Sequence, residues 1–168
     1  MDKKIADFHL PRWNELPNID LYIDQLVSLL EQYFLGYVKN ENENDEKLIT
    51  KSMINNYVKH GVLNPPINKK YNREHIATSF VIIILKQIYS IDEIKKLINL
   101  AIQTSSFEQS YDRFCLELDE AIRVVFNKTT YTDTELSELS EEQYLLKNVV
   151  HSFANKLYVQ ITYLKKRD

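Results

Sequence analysis

Thr50-Lys51-Ser52-Met53-Ile54-Asn55-Asn56-Tyr57-Val58-Lys59-His60-Gly61-Val62-Leu63-Asn64-Pro65-Pro66 is the stretch on which the reading of this chain turns. Met53, Ile54, Tyr57 and Val58 recur at the spacing of one helical face. Lys51, Ser52, Asn55, Asn56 and Lys59 fall mainly on the opposite face. Thr50 offers a short side-chain acceptor to the orphan amides of a first turn. A helix from there to about His60 is expected. Gly61 stands where a left-handed residue closes a helix, and Pro65-Pro66 forbids its continuation.

Charge separates this region from the rest. Lys47, Lys51, Lys59, Lys69, Lys70 and Arg73 stand against Glu74 alone, so residues 47–75 carry +5 in a chain of net charge −3. Such asymmetry focuses potential locally even on an acidic protein. A solvated basic face without a partner would look the same, and charge alone does not separate the two.

On the C-terminal side, Asn72 is the expected cap of a helix to about Gln87. Phe80-Val81-Ile82-Ile83-Ile84-Leu85 is apolar all round; it fits a strand in isolation, and its helix-forming flanks make it a buried helix. Ser90 with Glu93 forms a capping box, with Ile91, Ile94, Leu97 and Ile98 facing inward. Phe107, Phe114 and Ala121, with Tyr111, Leu118 and Val125, then form an a/d pattern. A polar connection over 128–137 leads to a last helix with Leu146, Val150, Phe153, Leu157, Ile161 and Leu164 on one face. These two helices can close on each other or on a second subunit, giving a homodimer.

On the N-terminal side, residues 1–18 read as an irregular arm punctuated by Pro11 and Pro17, with Trp13 as its anchor on the core. Asn18 or Asp20 can cap a first helix whose stripe is Ile19, Ile23, Leu26, Leu30, Tyr33 and Tyr37. Gly36 marks fraying near its end, and Lys39 to Lys47 reads as a polar, mobile loop.

The whole is an all-α chain of 168 residues with only 2 Gly and 4 Pro, too few for the many turns of an all-β fold. It divides into a head with its arm, residues 1–100, and a C-terminal helical region, 101–168, for dimerisation or sensing. Cys115 is the only cysteine, so no intramolecular disulfide forms; it falls beside the apolar stripe and reads as core. The N-terminus has no apolar signal core and no run is long enough to span a bilayer, so a cytoplasmic location is expected. No GxxxxGK[ST], GxGxxG or HExxH occurs. His9, His60, His75 and His151 are scattered and read as surface or satisfied residues. Asp119-Glu120 and Glu141-Glu142 read as solvated faces. No cofactor, metal or catalytic group is expected, and the chain is read as no enzyme.

Two resemblances follow from these residues. The run from Thr50 to Pro66 is similar to the recognition helix and wing entry of MerR-type regulators, in which an Arg-Tyr-Tyr-like triplet precedes Gly-Leu-Leu and proline. Lys69-Lys70-Tyr71-Asn72-Arg73-Glu74-His75-Ile76 resembles the wing exit, and Ser90 to Ile98 the helix after it. Tyr57 matches the second tyrosine of the triplet, whereas Asn55 and Asn56 replace the residues before it; the wing is shortened. The resemblance implies a helix-turn-helix head that binds double-stranded DNA through Lys51, Ser52, Asn55, Asn56, Lys59, Lys69, Lys70, Tyr71 and Arg73. Amides and amines on an exposed helix suit that task because Asn pairs with adenine in two-point fashion and Lys reaches guanine or phosphate. Leu10-Pro11-Arg12-Trp13 with Leu16-Pro17, and Asp20-Leu21-Tyr22 with Asp24-Gln25, resemble an uncharacterised bacterial domain-of-unknown-function family over nearly the whole chain. Two functions remain open: a transcriptional regulator, or a protein–protein adaptor built on the same head. A small-molecule effector is unspecified.

Overall fold

The computed structural model describes residues 5, 8–34 and 47–164. Its elements run, in order, as a 3-10 turn Trp13–Glu15, β1 Leu21–Tyr22, α1 Ile23–Phe34, α2 Lys51–Lys59, β2 Lys70–Tyr71, α3 Arg73–Leu85, α4 Ile91–Ala101, α5 Phe107–Asn127, α6 Asp133–Ser137, α7 Glu141–Val159 and a π-turn Gln160–Leu164. Helices dominate, as expected. The strands form one antiparallel pair, Leu21 opposite Tyr71 and Tyr22 opposite Lys70.

That pair corrects the expected start of the first helix. Residues 19–22 are not helical, and Ile19 is 66% exposed. Leu21 and Tyr22 spend their backbone on β2 instead. The helix begins at Ile23, where the Tyr22 amide donates to Gln25 Oε1 at 2.8 Å, so neither Asn18 nor Asp20 serves as its cap. The buried stripe is Leu26, Leu30 and Phe34, with Ile23 and Tyr33 at its margin. Gly36, Tyr37 and the polar stretch 39–46 lie outside the described residues.

Helix α3 runs through the centre. Ile76, Ala77, Phe80 and Ile82 to Leu85 are all buried, which is why its sequence shows no polar face. Phe80 meets Tyr33 and Phe34 of α1, with ring centroids 4.9 and 5.4 Å apart. The cap expected at Asn72 forms, its side chain accepting from the His75 amide at 3.2 Å. The Ser90–Glu93 capping box of α4 forms as well.

Helices α5 and α7 pack on each other within the chain. Tyr111, Phe114, Leu118 and Ala121 are buried as the heptad pattern requires, joined by Cys115 and Ile122. On α7 the buried set is Val149, Val150, Phe153, Ala154 and Leu157, and Leu164 is exposed. Thr132 caps the short α6 inside the expected polar connection. Lys147 of α7 is only 8% exposed. Its ammonium bonds Glu117 at 2.8 Å and sits 4.1 Å from the Tyr131 ring centroid.

The N-terminal arm lies on α5. The Trp13 ring packs against Phe107 and Tyr111, at 5.8 and 6.5 Å between centroids. The Trp13 amide donates to Asp112, and Tyr111 Oη donates to the Pro11 carbonyl at 2.9 Å. Asp119, expected on a solvated face, instead accepts from the Leu10 amide and from Arg12 Nη2, at 3.2 and 2.7 Å. The arm thus joins residues on both sides of the division expected at 100. Among the described residues, no helix is long and apolar enough to cross a membrane.

Candidate nucleic-acid interface

Helix α2 is held from one side and bare on the other. Thr50 Oγ1 accepts from the Met53 amide at 3.2 Å, and Glu31 of α1 accepts from the Ile49 amide at 2.7 Å. Ile54 and Tyr57 are buried, with Met53 and Val58 partly so. Tyr57 Oη accepts from Lys86 Nζ at 3.1 Å. Burial pushes its phenol up to about 12 and lowers the Lys86 ammonium. The fully buried anchors of this face are one aliphatic and one aromatic residue, one turn apart.

The C-terminus of α2 is closed as its glycine predicts. Gly61 takes φ +67°, and the amides of Val62 and Leu63 both reach the Tyr57 carbonyl, at 3.1 and 3.2 Å. Lys95 of α4 donates to the His60 carbonyl at 3.3 Å, placing a cation at the negative end of the helix. Val62 and Leu63 then turn into the core.

The chain returns through a two-residue turn. Ile67 and Lys70 exchange both backbone hydrogen bonds at 2.9 Å. Asn68 and Lys69 between them take φ +50° and +62°, the pair of left-handed residues that a tight hairpin turn requires. His75 fastens this hairpin to α3. Its Nδ1 lies 3.0 Å from the Asn72 amide and 2.7 Å from Asn72 Oδ1, and its Nε2 lies 3.0 Å from the Pro65 carbonyl. His75 is thus one of the satisfied histidines, bridging the two ends of the hairpin.

The expected contact residues divide into three groups. Lys51, Ser52, Asn55, Asn56 and Lys59 are all exposed on one arc of α2, and Lys69 is exposed at the tip of the turn. Lys59 and Lys69 form no ion pair among the described residues. Lys51 is paired with Asp24. Lys70 and Arg73 are half-buried and lean on rings: Lys70 Nζ is 5.2 Å from the Tyr22 centroid, and the Arg73 guanidinium is 5.5 Å from that of Trp13. Tyr71 is a correction. Its ring is 2% exposed and contacts His75 edge-on at 5.4 Å. It supports the hairpin from within and presents nothing to a partner, because in a strand its side chain points opposite to that of Lys70.

The β1–α1 corner draws the exposed groups together. Tyr22 pairs with Lys70, and two residues later Asp24 holds Lys51 at the start of α2. The sequence reading missed Tyr22 and Asp24 as parts of this surface. Their only signal was their place in the Asp20-Leu21-Tyr22 and Asp24-Gln25 motif. Among the described residues no group of three or more His, Cys, Asp or Glu is placed to hold a metal.

The architecture is that of a small helical protein whose central helices carry a short two-stranded pair and an appended helical hairpin. The chain belongs to the family described as a domain of unknown function (DUF1836), whose model matches residues 11–114. The match begins within the arm and ends in the first half of α5, so it reaches less far than the resemblance expected from the sequence. No curated protein and no solved structure matches the chain.

Proposed function

We propose that this protein is a DNA-binding transcriptional regulator, in which α2 enters the major groove and the Asn68-Lys69 turn grips the phosphate backbone. The observation that carries this reading is the exposed arc of α2. Lys51, Asn55 and Lys59 follow at i, i+4 and i+8, with Ser52 and Asn56 alongside, all exposed on a helix anchored through Ile54 and Tyr57. Groove reading needs such a helix, held rigidly and furnished with long or amide side chains. The order α1, α2, hairpin, α3, α4 is the order that the resemblance to MerR-type regulators implies, and it supports the same assignment. Tyr22 and Lys70 border the turn and supply a further phosphate contact. Two copies, associated through their C-terminal helices, would read a pseudo-palindromic site. The reading is non-catalytic.

A second reading, a protein–protein adaptor, draws on a different observation. Three of the cations are engaged internally, while Ile19, Tyr22 and Ile67 are exposed apolar residues on the arm, strand and hairpin.

Fluorescence anisotropy with mixed duplex fragments from the source genome, at two salt concentrations, separates the two. A Lys59→Glu/Lys69→Glu variant changes only exposed side chains that lack ion pairs among the described residues. Regulator binding weakens steeply with salt, and the variant lowers the salt slope by about 2. No binding at low salt, or binding indifferent to both charge reversals, would sink the regulator and favour the adaptor.

A further inference from the structure

A cavity of about 120 Å³ lies between the central helices and the C-terminal hairpin. Its walls are apolar: Val81 of α3, Leu97 of α4, Phe107 and Phe114 of α5, and Leu146 of α7. An apolar cavity of roughly 150 Å³ takes up benzene, so this one matches a branched aliphatic group or a single small ring.

Polar groups at the edge of the cavity decide what such a molecule must carry. Ser110 Oγ lines it, donates to the Ala101 carbonyl at 2.9 Å and is satisfied. Arg113 and Glu142 also line the cavity, both on its exposed side, and they form no ion pair with each other. Glu142 sits in the first turn of α7, where the helix N-terminus already favours a carboxylate. Arg113 lies within α5 and has no ion-pair partner among the described residues. Arg113 is thus the cation that an anionic group would meet at this mouth.

We propose that this cavity is a binding site for a small carboxylic acid with a compact apolar body. The body fills the space between Val81 and Phe114, and the carboxylate engages the Arg113 guanidinium at the mouth. The occupant touches α3, which starts at the hairpin exit, and α5, which carries the arm. It is thus placed where the head meets the C-terminal region. This assignment does not rest on DNA binding and is tested without DNA.

Benzoate and the uncharged benzyl alcohol serve as probes. The intact protein, labelled at methyl groups, is titrated with each and followed by NMR, alongside Arg113→Gln and Val81→Phe. The first substitution is on an exposed side chain and leaves the core intact; the second fills the cavity. Saturable shifts at the Val81 and Leu97 methyls are expected with benzoate. Arg113→Gln should weaken benzoate by about fivefold, the range of a solvent-facing charged contact, and leave benzyl alcohol unchanged. Three results overturn the proposal: no saturable shift through the millimolar range, benzyl alcohol matching benzoate in the wild-type protein, or full benzoate affinity in Arg113→Gln. Benzoate binding that falls as protein concentration rises would also overturn it, by assigning the cavity to a second copy of the chain.

Discussion

The guanidinium of Arg73 stands 5.5 Å from the centroid of the Trp13 ring, while its buried Nε has no hydrogen-bond partner among the described residues. The indole also packs against Phe107 and Tyr111 of α5. Trp13 is therefore the plate between the hairpin exit and α5, and the ring face compensates part of the lost solvation of Arg73.

Replacing Trp13 by Ala should cost about 3 kcal/mol, the lower end for large aromatic truncations because the ring is only half-buried. A double-mutant cycle with Arg73→Ala, read by urea unfolding, should give a coupling of about 0.5–1 kcal/mol. A coupling near zero would mean that ring and guanidinium are neighbours without attraction.

The Lys147–Glu117 pair should behave asymmetrically. Burial lowers the Lys147 pKa, yet the hydrogen bond and charge of Glu117 outweigh it and the net shift is upward. Glu117→Gln leaves the ammonium against the Tyr131 ring without its counter-charge, at a cost of about 3 kcal/mol. The pair Glu117→Leu/Lys147→Met removes both charges and should cost less than the single change. Denaturant midpoints for the two variants decide this, and a double variant weaker than Glu117→Gln would refute it.

Alkaline conditions should destabilise the protein. Burial pushes the Cys115 thiol up to about 12 from 9.0, and Tyr57 up to about 12 from 10.0. Both acids bind their protons more tightly when folded. Their contribution is complete below the unfolded pKa values and is lost as pH rises from about 9 towards 12. Each group that ionises only in the unfolded chain removes about 1.4 kcal/mol per pH unit. Thermal midpoints measured at successive alkaline pH values should fall across this window. Cys115 should also resist alkylation at pH 8 until the chain is unfolded; fast labelling of native protein would contradict its burial.

Gly61→Ala should destabilise by about 1 kcal/mol, since Gly61 holds φ +67° and a left-handed backbone disfavours a side chain. A Cβ there would also meet Lys95 Nζ at 3.0 Å, though the lysine tip can move aside. The measurement is the unfolding midpoint. A neutral or stabilising result would show that the closing turn of α2 is not strained by a methyl group.

Local chemistry was legible wherever it acts within a few residues. Thr50, Asn72 and Ser90 cap helices because a short acceptor meets amides two or three positions on. Gly61 closes α2 for the same kind of reason, and the even hydrophobicity of Phe80 to Leu85 follows from burial on every side. Periodicity failed at Ile19 to Tyr22. A backbone exchange with Lys70-Tyr71, some fifty residues away, outcompetes the helix there, and no local signal announces it. Of the expected contact residues, those on α2 were readable from helical phase. Tyr71 was not, because strand alternation sends it inward beside Lys70.

Sequence by itself determined the helical class, the caps of α2, α3 and α4, the anchored and exposed faces of α2, and the heptad seam of α5, since each depends on spacing along one element. Only the tertiary structure decided that the seam closes on α7 within the chain and that Asp119 holds the arm. It also decided that Trp13 bridges α5 to Arg73 and that an apolar cavity opens beside Thr78. Those relationships join residues far apart in the chain, and they depend on which surfaces come to exclude water together.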